Sequence, residues 1–502
     1  MGPTFITESV AADGLRADGG LASSGEYAAA GVHVHAWRWA AWIAAALASA
    51  TISFTILEVP LQVPDCLIPL LQVLTASSAA AMFTGTLADP AYFRPLFWAQ
   101  SKLVFDAAHG HYFAAFKSVH ALLIFALLLS VASIARVRSR TDLTAFLFAL
   151  TVLTGMHTFV GMVREAYPIN HYLEAAVASA IALRLALSRG GWLQDAAAVA
   201  LLALASLTIE SGLLVWVVVA AAWAVGCRGI SSRAVTLMTV MVAGYFGARL
   251  YFHVGMPTIW ERSTGFGFSR LDPAAVATQF QHSVALLYLY NAATSIVSVL
   301  FSEPRSGTWD ITSRFLQGDI RPSMIASVIS ACVGTATIAW FTAARWPSWK
   351  RRQLETADRV VIVFAAVLVA NAVMCCVYTK DEIMSTAGVF YALAVYVATR
   401  ECLSRCADLV SRAPARLALT VLLAAGSAAW GVRATALYYE MYWKASKVRY
   451  EWAEVEVFLR QQNIALRTPE EVQLVERLRA DAMRAPRLNA ALLPHWAKAW
   501  FS

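Results

Sequence analysis

The chain alternates between apolar runs of about 20 residues and short polar or basic clusters. Twenty apolar residues is the length a helix needs to cross a bilayer. The pattern predicts spans at 37–57, 116–135, 143–163, 171–188, 234–252, 323–343, 359–378, 385–400 and 416–434. The run 195–227 carries Glu210 inside it and reads either as one long helix or as a hairpin broken at Glu210-Ser211-Gly212. Basic clusters favour the cytoplasmic side. They put Arg136-Val137-Arg138-Ser139-Arg140, Arg345, Lys350, Arg351 and Arg352 inside. The hairpin places Arg228 and Arg233 on that same side, and it is the reading we prefer. The apolar piece 283–301 then lies on or in the outer membrane surface. A single long helix would instead require 283–301 to cross.

These elements make the chain an all-α, polytopic integral membrane protein of about 11 transmembrane helices. Its N-terminus is cytoplasmic and its C-terminus external. Residues 1–36, rich in Ala, Gly and Ser, read as a disordered cytoplasmic tail. Residues 37–434 form the transmembrane domain, with external excursions at 58–115 and 253–322. Residues 435–502 form an external helical tail, with Tyr438, Tyr439, Tyr442 and Trp443 near the interface.

Composition supports the membrane reading. Of 502 residues, 59% are hydrophobic and 14% are charged, against roughly a quarter charged in soluble domains. The net charge of +8 sits in short clusters between apolar runs, so it reads as a topology signal and not as a nucleic-acid surface. Seven scattered cysteines show no zinc-like spacing with histidine. Neither a metal nor a cofactor is expected; His109-x-His111 alone offers two ligands. The Ala-rich composition suggests a high-GC bacterial source, and with it a bacterial inner membrane and a periplasmic C-terminus.

The candidate chemistry gathers in the first excursion. Glu58 follows the first span directly, and Asp65 stands in Val-Pro-Asp-Cys between Pro64 and Pro69. A carboxylate at the edge of the bilayer core could accept a proton from a substrate hydroxyl; it could equally be a solvated loop acid. Asp89 and Tyr92-Phe93-Arg94-Pro95-Leu96 follow, then Gly110-His111-Tyr112-Phe113, Lys117 and His120. Arg94 could bind a phosphate bidentately or snorkel to the interface. Arg164, Glu165, His171, Glu174 and Glu210 form an inner polar set, where Arg164 could pair with Glu174 or Glu165. Tyr378-Thr379-Lys380-Asp381-Glu382 forms a late outer turn, with Lys380 suited to a phosphate and Asp381 to a sugar or acceptor. Arg262, Arg270, Arg305 and Arg314 in the second excursion could bind a glycolipid.

The acid outside the first span, followed by an Arg-Pro-Leu element, resembles the first external loop of GT-C superfamily glycosyltransferases. The branch it resembles carries a Tyr-Arg-Pro-Leu motif and includes the tetratricopeptide-linked O-mannosyltransferases. Here the motif has one residue inserted. Glu210-Ser211-Gly212 resembles a Lys-Glu-x-Gly helix start in that superfamily, with Ile209 in place of the Lys. The resemblance implies a GT-C-like fold with external juxtamembrane helices. It also implies an inverting transfer of a sugar from a polyprenyl-phosphate donor to a glycan, lipid or protein acceptor. Asp65, ahead of Glu58, would be the catalytic acid-base group; Arg94 and Lys380 would hold the donor phosphate. Asp89, Lys117, His120, Arg164, His171, Glu210 and Asp381 would contact substrate. Two rivals stand beside this reading: an O-antigen polymerase or ligase, and a lipid-linked-sugar flippase or transporter.

Overall fold

The computed structural model describes residues 24–484 apart from 88, 90, 91, 166, 253–277, 282, 304–306, 378 and 409–412. Every regular element among them is helical. Arg262, Arg270 and Arg305 therefore lie outside the described residues. The helices are α1 (Ser24–Ile56), α2 (Val63–Thr75), α3 (Ala79–Gly85), α4 (Pro95–Ala107), α5 (Tyr112–Ala135), α6 (Arg140–Gly155) and α7 (His157–Arg164). Next come α8 (His171–Ala186), α9 (Trp192–Thr208), α10 (Leu214–Ala224), α11 (Ser232–Tyr251), α12 (Val284–Leu300), α13 (Gly307–Leu316) and α14 (Pro322–Lys350). The chain closes with α15 (Thr356–Met374), α16 (Ser385–Asp408), α17 (Ala413–Ala453), α18 (Val455–Gln461) and α19 (Pro469–Arg484).

Seven helices among the described residues are long and apolar enough to cross a membrane, or up to nine if each of two bent pairs counts as one span. The molecule is thus a helical membrane protein. The shortfall from eleven has a local cause: α6 and α7 are a bent pair, α8 has only 16 residues, and α9 and α10 with its leading turn are apolar but only 10–17 residues long. Outward faces carry large apolar side chains such as Trp39, Leu47, Leu122, Val240 and Leu250. Exposed rows of this kind suit lipid, which competes for no backbone hydrogen bond. The bundle closes around α16, whose apolar window is 94% buried, and which packs on α6, α8, α14 and α15.

Several boundaries differ from the sequence expectation. α1 starts at Ser24, inside the stretch assigned to a disordered tail; Glu26-Tyr27-Ala28-Ala29-Ala30 has high helix propensity and continues the span backwards. The apolar run at 143–163 bends by 59° between α6 and α7. Gly155 precedes the bend, and a Cβ there would lie 2.9 Å from the Trp430 carbonyl, so glycine permits close approach of α17. The run 195–227 is a hairpin. Gly212 lies so tightly on the Ala205 backbone that a side chain would overlap it. The connection that follows the hairpin brings Gly229 N to the Ala186 carbonyl at 3.1 Å and Ser231 N to Asp195 Oδ1 at 2.8 Å. The last span is part of a 41-residue helix, α17.

α17 explains the second hydrophobic cluster. Its C-terminal half joins α2, α4, α18, α19 and the first turn of α5 in a cap separate from the bundle core. Leu67, Leu70, Phe116, Val448, Trp452 and Leu478 are buried there. The first excursion is thus not a loop but a folded floor, starting at Pro64 in α2 and at Pro95 in α4. Both prolines occupy first-turn positions, where their missing N–H costs nothing. α12 packs on the bundle through Ala292, Ile296 and Val299, and polar contacts add to this. Asn291 Nδ2 donates to the Cys376 carbonyl at 2.6 Å, and Ser302 Oγ, just past the helix, accepts from His157 N at 3.1 Å.

Candidate active site

One end of the bundle brings together the α1–α2 segment, the start of α4, the α7–α8 connection, the hairpin tip and the α15–α16 turn. Arg94 caps α4, and Glu210 stands at the hairpin tip. Arg94 Nε and Nη2 both donate to Glu210 Oε2, at 3.0 and 2.6 Å. Arg249, in the last turn of α11, lies 3.7 Å from Glu210 Oε1 and donates to the Tyr245 hydroxyl at 3.3 Å. The Tyr92 ring lies 4.4 Å from the Arg94 guanidinium, within cation–π range. Asp89 Oδ1 accepts from Tyr92 N at 3.4 Å, so it shapes the approach to Arg94. Burial opposes the charge of Glu210, but Arg94 outweighs it and holds the carboxyl below its ordinary value.

Two arginines therefore flank one carboxylate, leaving a net positive charge. They line a pocket of about 260 Å³ whose walls include Tyr172, Tyr245, Phe246, Met374, Val377 and Ile383. Cations lining the same pocket as apolar walls suit an amphiphile with an anionic head.

Asp65 lies in the first turn of α2 and is exposed. The Gln62 amide donates to its Oδ2, and Lys444 Nζ donates to Gln62 Oε1 at 2.5 Å. Glu58 is placed differently. It is buried beneath α17, its carboxylate 3.9 Å from Arg449, which also donates to the Glu58 carbonyl at 3.0 Å. Trp452 Nε1 donates to the Leu61 carbonyl at 2.5 Å, so the segment 58–63 is clamped by the cap. Of the two acids, Asp65 is the exposed one.

A third group lies at the same end. Asp381 Oδ2 is 2.6 Å from His157 Nε2, and Lys380 Nζ is 3.1 Å from Glu382. Arg164 pairs with Glu440 of α17 at 3.0 Å, not with Glu174 or Glu165; the long α17 reaches a position no local spacing reveals. Glu165 is pushed above its ordinary value, first by burial and then by the negative charge of Glu382. Tyr167 joins the groups: it lies within electrostatic reach of Glu165, Asp65 and Glu382. Tyr172 does the same for Glu382, Arg94, Glu165 and Glu210.

Three predicted contact residues face inward instead. His120 Nε2 is 3.1 Å from Asn170 Nδ2; Asn170 caps α8 through Leu173 N and donates to the Met162 carbonyl. Lys117 is buried beside Cys66, with no carboxylate within 4 Å among the described residues. His171 packs against Phe97, Tyr167 and Tyr172, and its Nδ1 is buried with no hydrogen-bond partner. Arg249, Tyr245 and Lys444 enter the site unforeseen. For Arg249 a signal existed: a charge in the last turn of a span at the interface. Among the described residues no three His, Cys, Asp or Glu side chains converge as a metal site would require. Compared with protein-family models, with curated proteins and with solved structures, the chain gives no significant match.

Proposed function

We propose that the protein is a membrane glycosyltransferase of GT-C type, with about 11 spans and the site end external. It moves a sugar from a polyprenyl-phosphate donor to a hydroxyl acceptor. The observation that carries this reading is the pocket that Arg94 and Arg249 line together with apolar side chains. A polyprenyl phosphate has this duality: a charged head and a chain that belongs in lipid. Glu210 fixes both guanidinium groups and keeps their charge local before the donor arrives.

In the step we envisage, the acceptor oxygen attacks the anomeric carbon as Asp65 takes its proton. The bond from that carbon to the phosphate oxygen breaks, and the polyprenyl phosphate leaves with its added charge balanced by Arg94 and Arg249. Attack opposite the leaving group inverts the anomeric carbon. Lys380, beside Glu382 in the α15–α16 turn, supplies a further cation for the phosphate, and Asp381 a contact for sugar or acceptor. Incubating purified protein with a panel of sugar-labelled polyprenyl phosphates tests the reading. Release of polyprenyl phosphate together with sugar transfer or hydrolysis is expected for at least one donor. Absence of turnover across the panel, with the folded protein binding none of the donors, would remove the proposal.

A further inference from the structure

The opposite end of the bundle carries a second pocket, open and of about 480 Å³, that the proposed transfer does not use. Four arginines from three parts of the chain line it. Arg136 caps α5, Arg138 lies in the α5–α6 connection, Arg359 is in the first turn of α15, and Arg400 is in α16. Two acids share the lining, Asp142 and Glu355. Neither cancels the arginines. Asp142 Oδ2 accepts the Arg138 backbone N–H at 2.9 Å and its Oδ1 is only within 4.0 Å of Arg400. Glu355 is engaged by Arg345 at 2.7 Å, outside the lining, and caps α15.

The protein uses part of the arginine donor set: Arg136 Nη2 donates to the Leu187 carbonyl at 2.6 Å, Arg359 reaches the Cys227 thiol, and Arg400 lies against Tyr396. Arg359 Nε is buried with no hydrogen-bond partner. Arg136 also holds a left-handed backbone, φ +48°, at a helix end where glycine is the usual residue. That conformation is unfavourable for a non-glycine residue. Basic residues that serve only topology need to face water; they need not converge on one concavity from distant elements. The remaining lining is largely apolar, with Ile134 and Leu393 among it.

We propose that this pocket binds a phosphate-bearing anion, held by the guanidinium groups of Arg136, Arg138, Arg359 and Arg400. Arginine forks match phosphate oxygens in pairs. Such an anion has two possible sources: an anionic phospholipid headgroup or a soluble phosphate compound. The site is independent of the transferase reading.

The test is equilibrium binding to the purified full chain in neutral detergent, in three arms. Fluorescent phosphatidylglycerol is followed by anisotropy, fluorescent phosphatidylcholine is the neutral control, and pyrophosphate is added as soluble competitor. Binding of phosphatidylglycerol and not phosphatidylcholine is expected, falling as salt rises. The double variant R138Q/R400Q should weaken it about tenfold or more. R359Q serves the same purpose if thermal melting shows the double variant unfolded. Competition by pyrophosphate at concentrations that leave phosphatidylglycerol micelles unchanged assigns a soluble phosphate compound; no competition assigns the headgroup. Equal binding of both lipids, binding untouched by the folded variants, or binding of neither phosphatidylglycerol nor pyrophosphate would overturn the proposal.

Discussion

Arg94 shows how a single residue was half legible. Its place before Pro95 marked it as a helix-start cation, but its partner Glu210 stands 116 positions away, where sequence spacing carries no signal. The pairing changes how Arg94 must be tested. Arg94→Ala alone leaves a partly buried Glu210 without its main cation, so some activity loss would be structural. Arg94→Ala/Glu210→Gln removes both charges and isolates donor binding. We expect Arg94→Lys and the double variant to lose most transfer, because an ammonium cannot reproduce the fork. Near-normal turnover by the folded double variant would remove Arg94 from phosphate binding. Glu165 offers a pH test. Its raised value means the folded state holds its proton more tightly than the unfolded chain. Its contribution to stability is full below the ordinary carboxylate range near about 4 and is lost as pH rises through the raised value. Glu165→Gln should therefore melt no lower than the parent at neutral pH, and the difference should shrink as pH falls to about 4. A variant that loses stability at neutral pH and not at acid pH would contradict this.

At the level of elements, long apolar runs were the most legible feature, because membrane crossing demands both length and composition. Breaks within them were less so. The hairpin at Glu210 was visible as an alternative, since Gly212 follows a charge inside an apolar run. The bend at Gly155 had no charge to mark it and depends on Trp430 of a distant helix. The cap was the least legible element. Residues 435–484 looked like a polar tail, yet Val448, Trp452, Val455, Leu474 and Leu478 close a core with α2 and α5. These apolar side chains are spread over α17, α18 and α19 and spaced by polar residues, so none makes a run. Trp452 is fully buried and donates to the Leu61 carbonyl. Trp452→Ala should destabilise the cap by about 3–5 kcal/mol. Hydrogen exchange should speed up in α2 and α19 while α16 keeps its protection. Equal acceleration in α16 would show that cap and bundle unfold as one unit.

For the whole molecule, the two ends of the bundle differ in chemistry, and the proposal assigns them to opposite sides of the membrane. Under the proposal, the arginine-rich end is cytoplasmic and the Arg94 end external. In a cysteine-free background, single cysteines replacing Ser139 or Ser348 should resist an impermeant reagent added outside, while ones in 58–115 or 435–484 should react. External labelling at Ser139 would invert the arrangement. With that orientation, Asp65 lies exposed on the external floor, and Glu58 is buried under α17. The most direct measurement is single-turnover sugar transfer by the intact protein and its Asp65→Asn and Glu58→Gln forms, with donor binding measured in parallel. Asp65→Asn should bind donor normally and transfer about a hundredfold to ten-thousandfold more slowly, whereas folded Glu58→Gln should retain transfer. Parental transfer by Asp65→Asn, with or without loss in Glu58→Gln, would contradict the assignment of Asp65 as the base.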